Sequence, residues 1–148
     1  VAKDLADNFA GTTYAAQGGL LIAKLSAEKG KADAARGHLE WVIAHAPEAE
    51  YQAIARLRLA GLLLDQKKFD EAAKVLSGEF PKEFEALVAD RKGDLLQAQG
   101  KTAEAITTYQ QSWKSFDRDV AYRNIVTIKL TALGAAPEEA ASEAGARP

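Results

Sequence analysis

Three stretches decide the fold: GKADAARGHLEWVIAHAP at residues 30–47, KKFDEAAKVLSGEFP at 67–81 and GKTAEAITTYQQSW at 100–113. Each opens on a turn, passes an acidic residue and reaches an alanine at the start of a helical pattern. Those alanines are Ala35, Ala72 and Ala105, spaced by 37 and then 33 residues, close to the ~34-residue period of tetratricopeptide helix pairs. A large residue follows four places later each time: Leu39, Leu76 and Tyr109. A small one precedes each alanine by twelve places: Ala23, Ala60 and Gly93. Two antiparallel helices approach closely where one face carries Ala or Gly, and the large residue fills the gap between successive pairs. A single pair leaves an apolar face bare, so neighbouring pairs must stack.

Working outward, apolar residues recur with helical period along the chain, and alternating strand patterns are nearly absent. The pattern predicts a short leader at 3–9 and helices near 12–29, 31–45, 48–66, 68–78, 83–99, 101–115 and 119–133. Pro47, Pro81 and Pro137 punctuate them, and Gly30 and Gly100 fall at turns. Helix 48–66 spreads Ile54, Ala55, Leu57, Leu59, Ala60, Leu62, Leu63 and Leu64 beyond one stripe, as a helix covered on several sides should. The expected fold class is all-α, a tetratricopeptide-like α-solenoid of about three helix hairpins. A C-terminal capping helix closes it through Val120, Ile125, Ile128, Leu130 and Leu133. Residues 1–133 form that domain. The small, acidic tail 134–148 is expected to be disordered.

The totals narrow the function. A chain of 148 residues with 47% hydrophobic and 27% charged residues suits one folded domain. Nineteen basic residues meet 21 acidic ones, without the basic excess that nucleic-acid binding asks for. There is no cysteine, which removes thiolate metal sites and disulfides and leaves the chain at ease in an oxidising compartment. There is no methionine, even at residue 1, so a piece of a longer or processed protein is expected. No run approaches the ~20 apolar residues of a membrane span, and no signal peptide is evident.

Two blocks carry a more specific likeness: AIARLRLAGLLLDQKKFDEAAKVL at 53–76 and EALVADRKGDLLQAQGKTAEAITTYQQSW at 85–113. They resemble the periplasmic domain of the YfgM-like family, the ancillary subunit of the SecYEG translocon. The opening YAAQGGLLIAKLSAEKGKADAARGHLEWVI at 14–43 is similar to that domain's first repeat. The resemblance implies a single-pass inner-membrane protein with a cytoplasmic N-terminus, one membrane helix upstream and this domain in the periplasm. It implies as partners the translocon, a PpiD-like folding factor and newly exported chains. The alternative function is a generic adaptor in an envelope assembly complex, without chaperone activity.

In such a stack the first helix of each pair lines an open surface. The repeat places Gln17, Leu20, Lys24, Ile54, Leu57, Gly61, Leu64, Leu87, Asp90, Asp94 and Gln97 there. An extended or helical peptide would meet the aliphatic side chains and be oriented by Lys24, Asp90 and Asp94. The competing expectation is that the leader or the last helix fills this groove. No basic cluster suited to clamping a carboxylate tail stands on it.

Catalytic and cofactor readings are weak. Asp90 and Asp94 lie one helical turn apart beside Arg91 and Lys92, as ordinary surface charge does, without an opposed partner. His38 and His45 are seven residues apart, wider than the i, i+4 spacing of a helical metal pair. Neither a metal, a cofactor nor a catalytic residue is expected. Trp41, Trp113, Tyr109, Phe116 and Tyr122 read as packing residues. Phe80 and Phe84, where the second repeat is cut short, read either as an exposed apolar patch or, the favoured reading for Phe84, as core packing.

Overall fold

The computed structural model describes residues 11–139. Within them lie seven α-helices, one 3₁₀ turn and no strand, the all-α architecture expected. The leader placed at 3–9 and the tail beyond residue 139 fall outside the described residues. The chain divides into two compact units, Val1–Pro81 and Lys82–Pro148.

The first unit holds α1 (Thr13–Glu28), α2 (Ala32–His45), α3 (Ala49–Asp65) and the short α4 (Phe69–Val75). Thr12 starts α1 by accepting the Ala15 amide on its hydroxyl at 3.2 Å, so one orphan donor of the first turn is satisfied. The helices end in a repeated device. Gly30 has φ +72° and lets the Lys31 amide reach back to the Ser26 carbonyl at 2.8 Å, the αL cap that satisfies terminal carbonyls. Gly100 does the same at φ +76°, with Lys101 bonded to Leu96 at 2.9 Å. Between α3 and α4 the residue at this place is Lys67, held at φ +57°, with Lys68 bonded to Leu63 at 2.8 Å.

The repeat residues do what their spacing predicts. Ala35, Ala72 and Ala105 are buried, as are Ala23 and Ala60, Leu39, Leu76 and Tyr109. Gly93 is buried too. A Cβ on Gly93 would sit 2.4 Å from the Tyr109 ring, and one on Gly19 would sit 2.6 Å from Val42. The backbones therefore approach through positions that tolerate no side chain. Helix α3 buries Ala53, Ala55, Leu57, Leu59, Ala60 and Leu63, more than one stripe, in keeping with its central place.

Helices α1 and α3 run parallel. Thr13 donates to Glu48, Gln17 to the Tyr51 hydroxyl at 2.7 Å, and Arg58 to the Leu20 carbonyl at 3.3 Å. Contacts that advance together along both helices fix the direction, which is that of successive first helices in a stack of hairpins.

Helix α4 is shorter than the expected 68–78. Arg56 of α3 explains the early end. Its guanidinium donates to the Val75 carbonyl at 3.1 Å, the Glu79 carbonyl at 2.7 Å and the Ser77 carbonyl. It also lies 3.6 Å over the Phe80 ring. Carbonyls that would have accepted helical amides are met by one cation. Phe80 and Phe84 are half-buried, not an open patch.

The second unit holds the 3₁₀ turn Lys82–Phe84, α5 (Glu85–Ala98), α6 (Thr102–Ser115) and α7 (Tyr122–Ala132). Helices α5 and α6 form an antiparallel hairpin. Gly93 meets Tyr109 midway along the pair, and the Ser112 hydroxyl donates to the Ala86 carbonyl at 2.7 Å toward the end away from the turn. Helix α7 adds Val126 and Leu130 to the core around Ala105 and Tyr109. The expected apolar seam of α7 needs correcting. Val120, Ile125 and Ile128 are exposed, because the inward face is set by Val126 and Leu130 together with the polar Tyr122 and Lys129.

Candidate functional site: the faces of the first helices

In the first unit α1 turns three large apolar side chains outward on a face that also carries Gln17, Lys24 and Glu28. Tyr14 is 80% exposed, Leu21 57% and Leu25 45%. Their spacing places all three on one side of the helix. Gln17 and Lys24 share this side and are exposed. On α3, Ile54, Gly61 and Leu64 are half-buried and Arg58 is exposed. Leu20 and Leu57, expected on the open face, are buried at 6% and 8%. Their neighbours Leu21 and Arg58 take that place.

Tyr14, Leu21, Leu25 and Arg58 were missed, yet the sequence carried a signal for some of them. The first repeat spacing maps Leu21 onto Arg58, and the second maps Arg58 onto Arg91. An arginine inside an apolar helix points outward, because burying its charge unpaired is costly. Its repeat counterparts should then point outward too.

In the second unit the acidic pair is committed within the protein. Lys129 Nζ lies 2.7 Å from Asp90 Oδ1 and 2.7 Å from Asp94 Oδ1. The Tyr122 hydroxyl donates to Asp90 Oδ2 at 2.8 Å, and the Tyr109 hydroxyl to Asp94 Oδ1 at 2.7 Å. Arg91 adds a 3.5 Å contact to Asp94. Asp90 is 1% exposed, so its charge depends on these partners. Burial, then the hydrogen bond to a carboxylate, pushes both tyrosine hydroxyls well above the usual phenol range. Both phenols therefore stay neutral donors. The arrangement binds α7 parallel to α5. Leu87 is half-buried and Gln97 exposed on the same helix.

Trp113 donates its indole N–H to Thr127 at 2.9 Å, while Arg123 stacks 3.6 Å over its ring, so this tryptophan packs α6 against α7. Trp41 stacks on His45 with centroids 4.7 Å apart, and His45 Nδ1 lies 2.9 Å from the Trp41 carbonyl. Among the described residues no group of three or more His, Cys, Asp or Glu could hold a metal ion. No helix among them is long and apolar enough to cross a membrane.

Comparison with known proteins agrees with this geometry. A family model described as a tetratricopeptide repeat-like domain matches residues 1–135. A Neisseria gonorrhoeae (strain ATCC 700825 / FA 1090) protein named ancillary SecYEG translocon subunit is 35% identical over 119 residues, covering 80% of this chain and 57% of that protein. An Escherichia coli (strain K12) protein of the same name is 28% identical over 121 residues, covering 82% of this chain and 58% of its own length. The chain thus spans less than two thirds of the curated relatives it matches. No solved structure matches it. The resemblance to the YfgM-like family is borne out by these relatives.

Proposed function

Because the chain belongs to the tetratricopeptide repeat-like domain family, we propose that it is a non-catalytic polypeptide-holding domain serving the Sec translocon. It acts from the periplasmic side of the inner membrane, on a protein anchored by a helix upstream of Val1. The relatives' printed names support the translocon as partner. A PpiD-like folding factor and exported chains are the further partners of this reading.

The observation that carries it is the outward face of α1, where Tyr14, Leu21 and Leu25 expose apolar surface in one line. Exposed apolar stripes of this kind mark interaction surfaces. The groove residues of the first unit, Gln17, Lys24, Ile54 and Leu64, flank or continue that face.

The experiment is chemical cross-linking of the full-length protein in its native membrane, followed by identification of captured chains. The reading expects translocon subunits or export clients, repeatedly and above an unrelated membrane protein of equal abundance. Capture at the level of that control would refute it.

A further inference from the structure

We infer that residues 135–139 form a strap, latched by charge, that covers the groove between α6 and α7. The inference is independent of the holding role argued for the first unit. The segment also lies at and past the end of the family match, which stops at residue 135.

The repeat reaches this segment. The left-handed turn residues Gly30, Lys67, Gly100 and Gly134 stand 37, 33 and 34 residues apart. Ala135 bonds back to the Leu130 carbonyl at 2.9 Å, as Lys31, Lys68 and Lys101 bond back at their own turns. Helix α7 therefore takes the first-helix place of a fourth hairpin, and the backbone turns helical again at Glu138 and Glu139. Each earlier hairpin has a small residue seven places before its turn and an alanine five places after it. These are Ala23 with Ala35, Ala60 with Ala72, and Gly93 with Ala105, and all six are buried. The fourth puts Thr127 and Glu139 at those two places. A carboxylate buried at a helix crossing is costly, and Glu139 stays 50% exposed. The fourth arm therefore lacks the close crossing that seals the other three.

Charge holds it instead. Glu139 pairs with Arg118 at 2.9 Å and Arg123 at 3.5 Å. Arg123 is itself fixed, since it lies 3.6 Å over the Trp113 ring and donates to the Trp113 carbonyl at 3.2 Å. At the other end Ala135 packs on the core of α6 and α7. Between these two ties the segment does not fill the space beneath it. A cavity of about 540 Å³ separates it from Gln110, Trp113, Lys114 and Leu130. Packed interiors leave few voids larger than a water molecule, so the segment is a cover over the groove and no part of the core. Its root is tied by backbone hydrogen bonds. Its tip is tied by exposed ion pairs, which water and salt weaken. Release of the tip bares the Trp113 side of the groove, and closure covers it.

The test uses the full 148-residue chain in a Trp41→Phe background, which leaves Trp113 as the only tryptophan. Acrylamide, a neutral quencher, reads how far solvent reaches the indole. Two exposed ion pairs bias the strap toward closure by about five- to tenfold. Quenching should therefore rise as sodium chloride is added. Glu139→Gln should reach the high-salt level already at low salt and lose the salt response, and Arg118→Gln should go part of the way. Glu138→Gln, whose carboxylate forms no ion pair among the described residues, should behave as the parent does. Unchanged far-UV ellipticity in each variant separates opening of the strap from unfolding.

Equal quenching of the parent and Glu139→Gln at low salt would overturn the proposal. So would a salt response that persists in Glu139→Gln, or an equal rise in Glu138→Gln.

Discussion

Replacing Lys129 by methionine tests how the second unit holds its last helix. The ammonium is 2.7 Å from both Asp90 and Asp94. Without it, Asp90 keeps the Tyr122 hydroxyl, and Asp94 keeps Tyr109 and the longer Arg91 contact. Breaking a buried pair by removing one partner costs about 3–5 kcal/mol. The Lys129 side chain is 25% exposed and Asp94 22%, so water relieves part of this, and about 2–4 kcal/mol remains. Set against a total of about 5–15 kcal/mol for a domain, that is a large share. Urea unfolding should be followed by the fluorescence of Trp113, which touches α7 through Thr127 and Arg123, in a Trp41→Phe background. The midpoint should fall by about 1–2 M, given a urea slope of about 1–3 kcal/mol/M. Adding Asp90→Asn to Lys129→Met should restore part of the loss, because the stranded charge is gone. A Lys129→Met unfolding free energy within about 0.5 kcal/mol of the parent would refute the reasoning. So would a double variant no better than the single one.

Other expectations follow from single positions. Lys67→Gly relieves the left-handed backbone at φ +57° and should add about 1 kcal/mol, a rise in Tm of roughly 2–4 °C by calorimetry. Gly93→Ala drives a methyl to within 2.4 Å of the Tyr109 ring and should cost about 1–3 kcal/mol in denaturant unfolding. Burial raises the Tyr109 and Tyr122 hydroxyls above their unfolded values. Their share of stability is therefore complete below the ordinary phenol pKa of about 10 and is lost as pH climbs toward the raised folded values. Far-UV ellipticity should show earlier urea unfolding above about pH 10, and the Tyr109→Phe, Tyr122→Phe double variant should show a flatter dependence on pH.

Much of the fold was legible because it is local and repeated. Ala35, Ala72 and Ala105 mark helix crossings by size alone, and Gly30 and Gly100 mark turns by the backbone they permit. The end of α4 was less legible, since it depends on Arg56 reaching from 19 residues upstream to the Val75 carbonyl. The open face was read one residue out of place at Leu20 and Leu57. Apolar neighbours such as Leu20 and Leu21 compete for the core, and composition does not decide between them. Asp90 and Asp94 read as surface charge because their partner, Lys129, lies 39 and 35 residues away. Local spacing carries no trace of such a pairing.

The proposed holding surface is the outward face of α1. A photoreactive residue placed at position 21 of the full-length protein tests it directly in native membranes, beside a control at the exposed Ala44 of α2. Adducts with translocon subunits or exported chains from position 21, and few from position 44, are predicted. Equal labelling from both positions, or labelling from position 44 alone, would contradict the account.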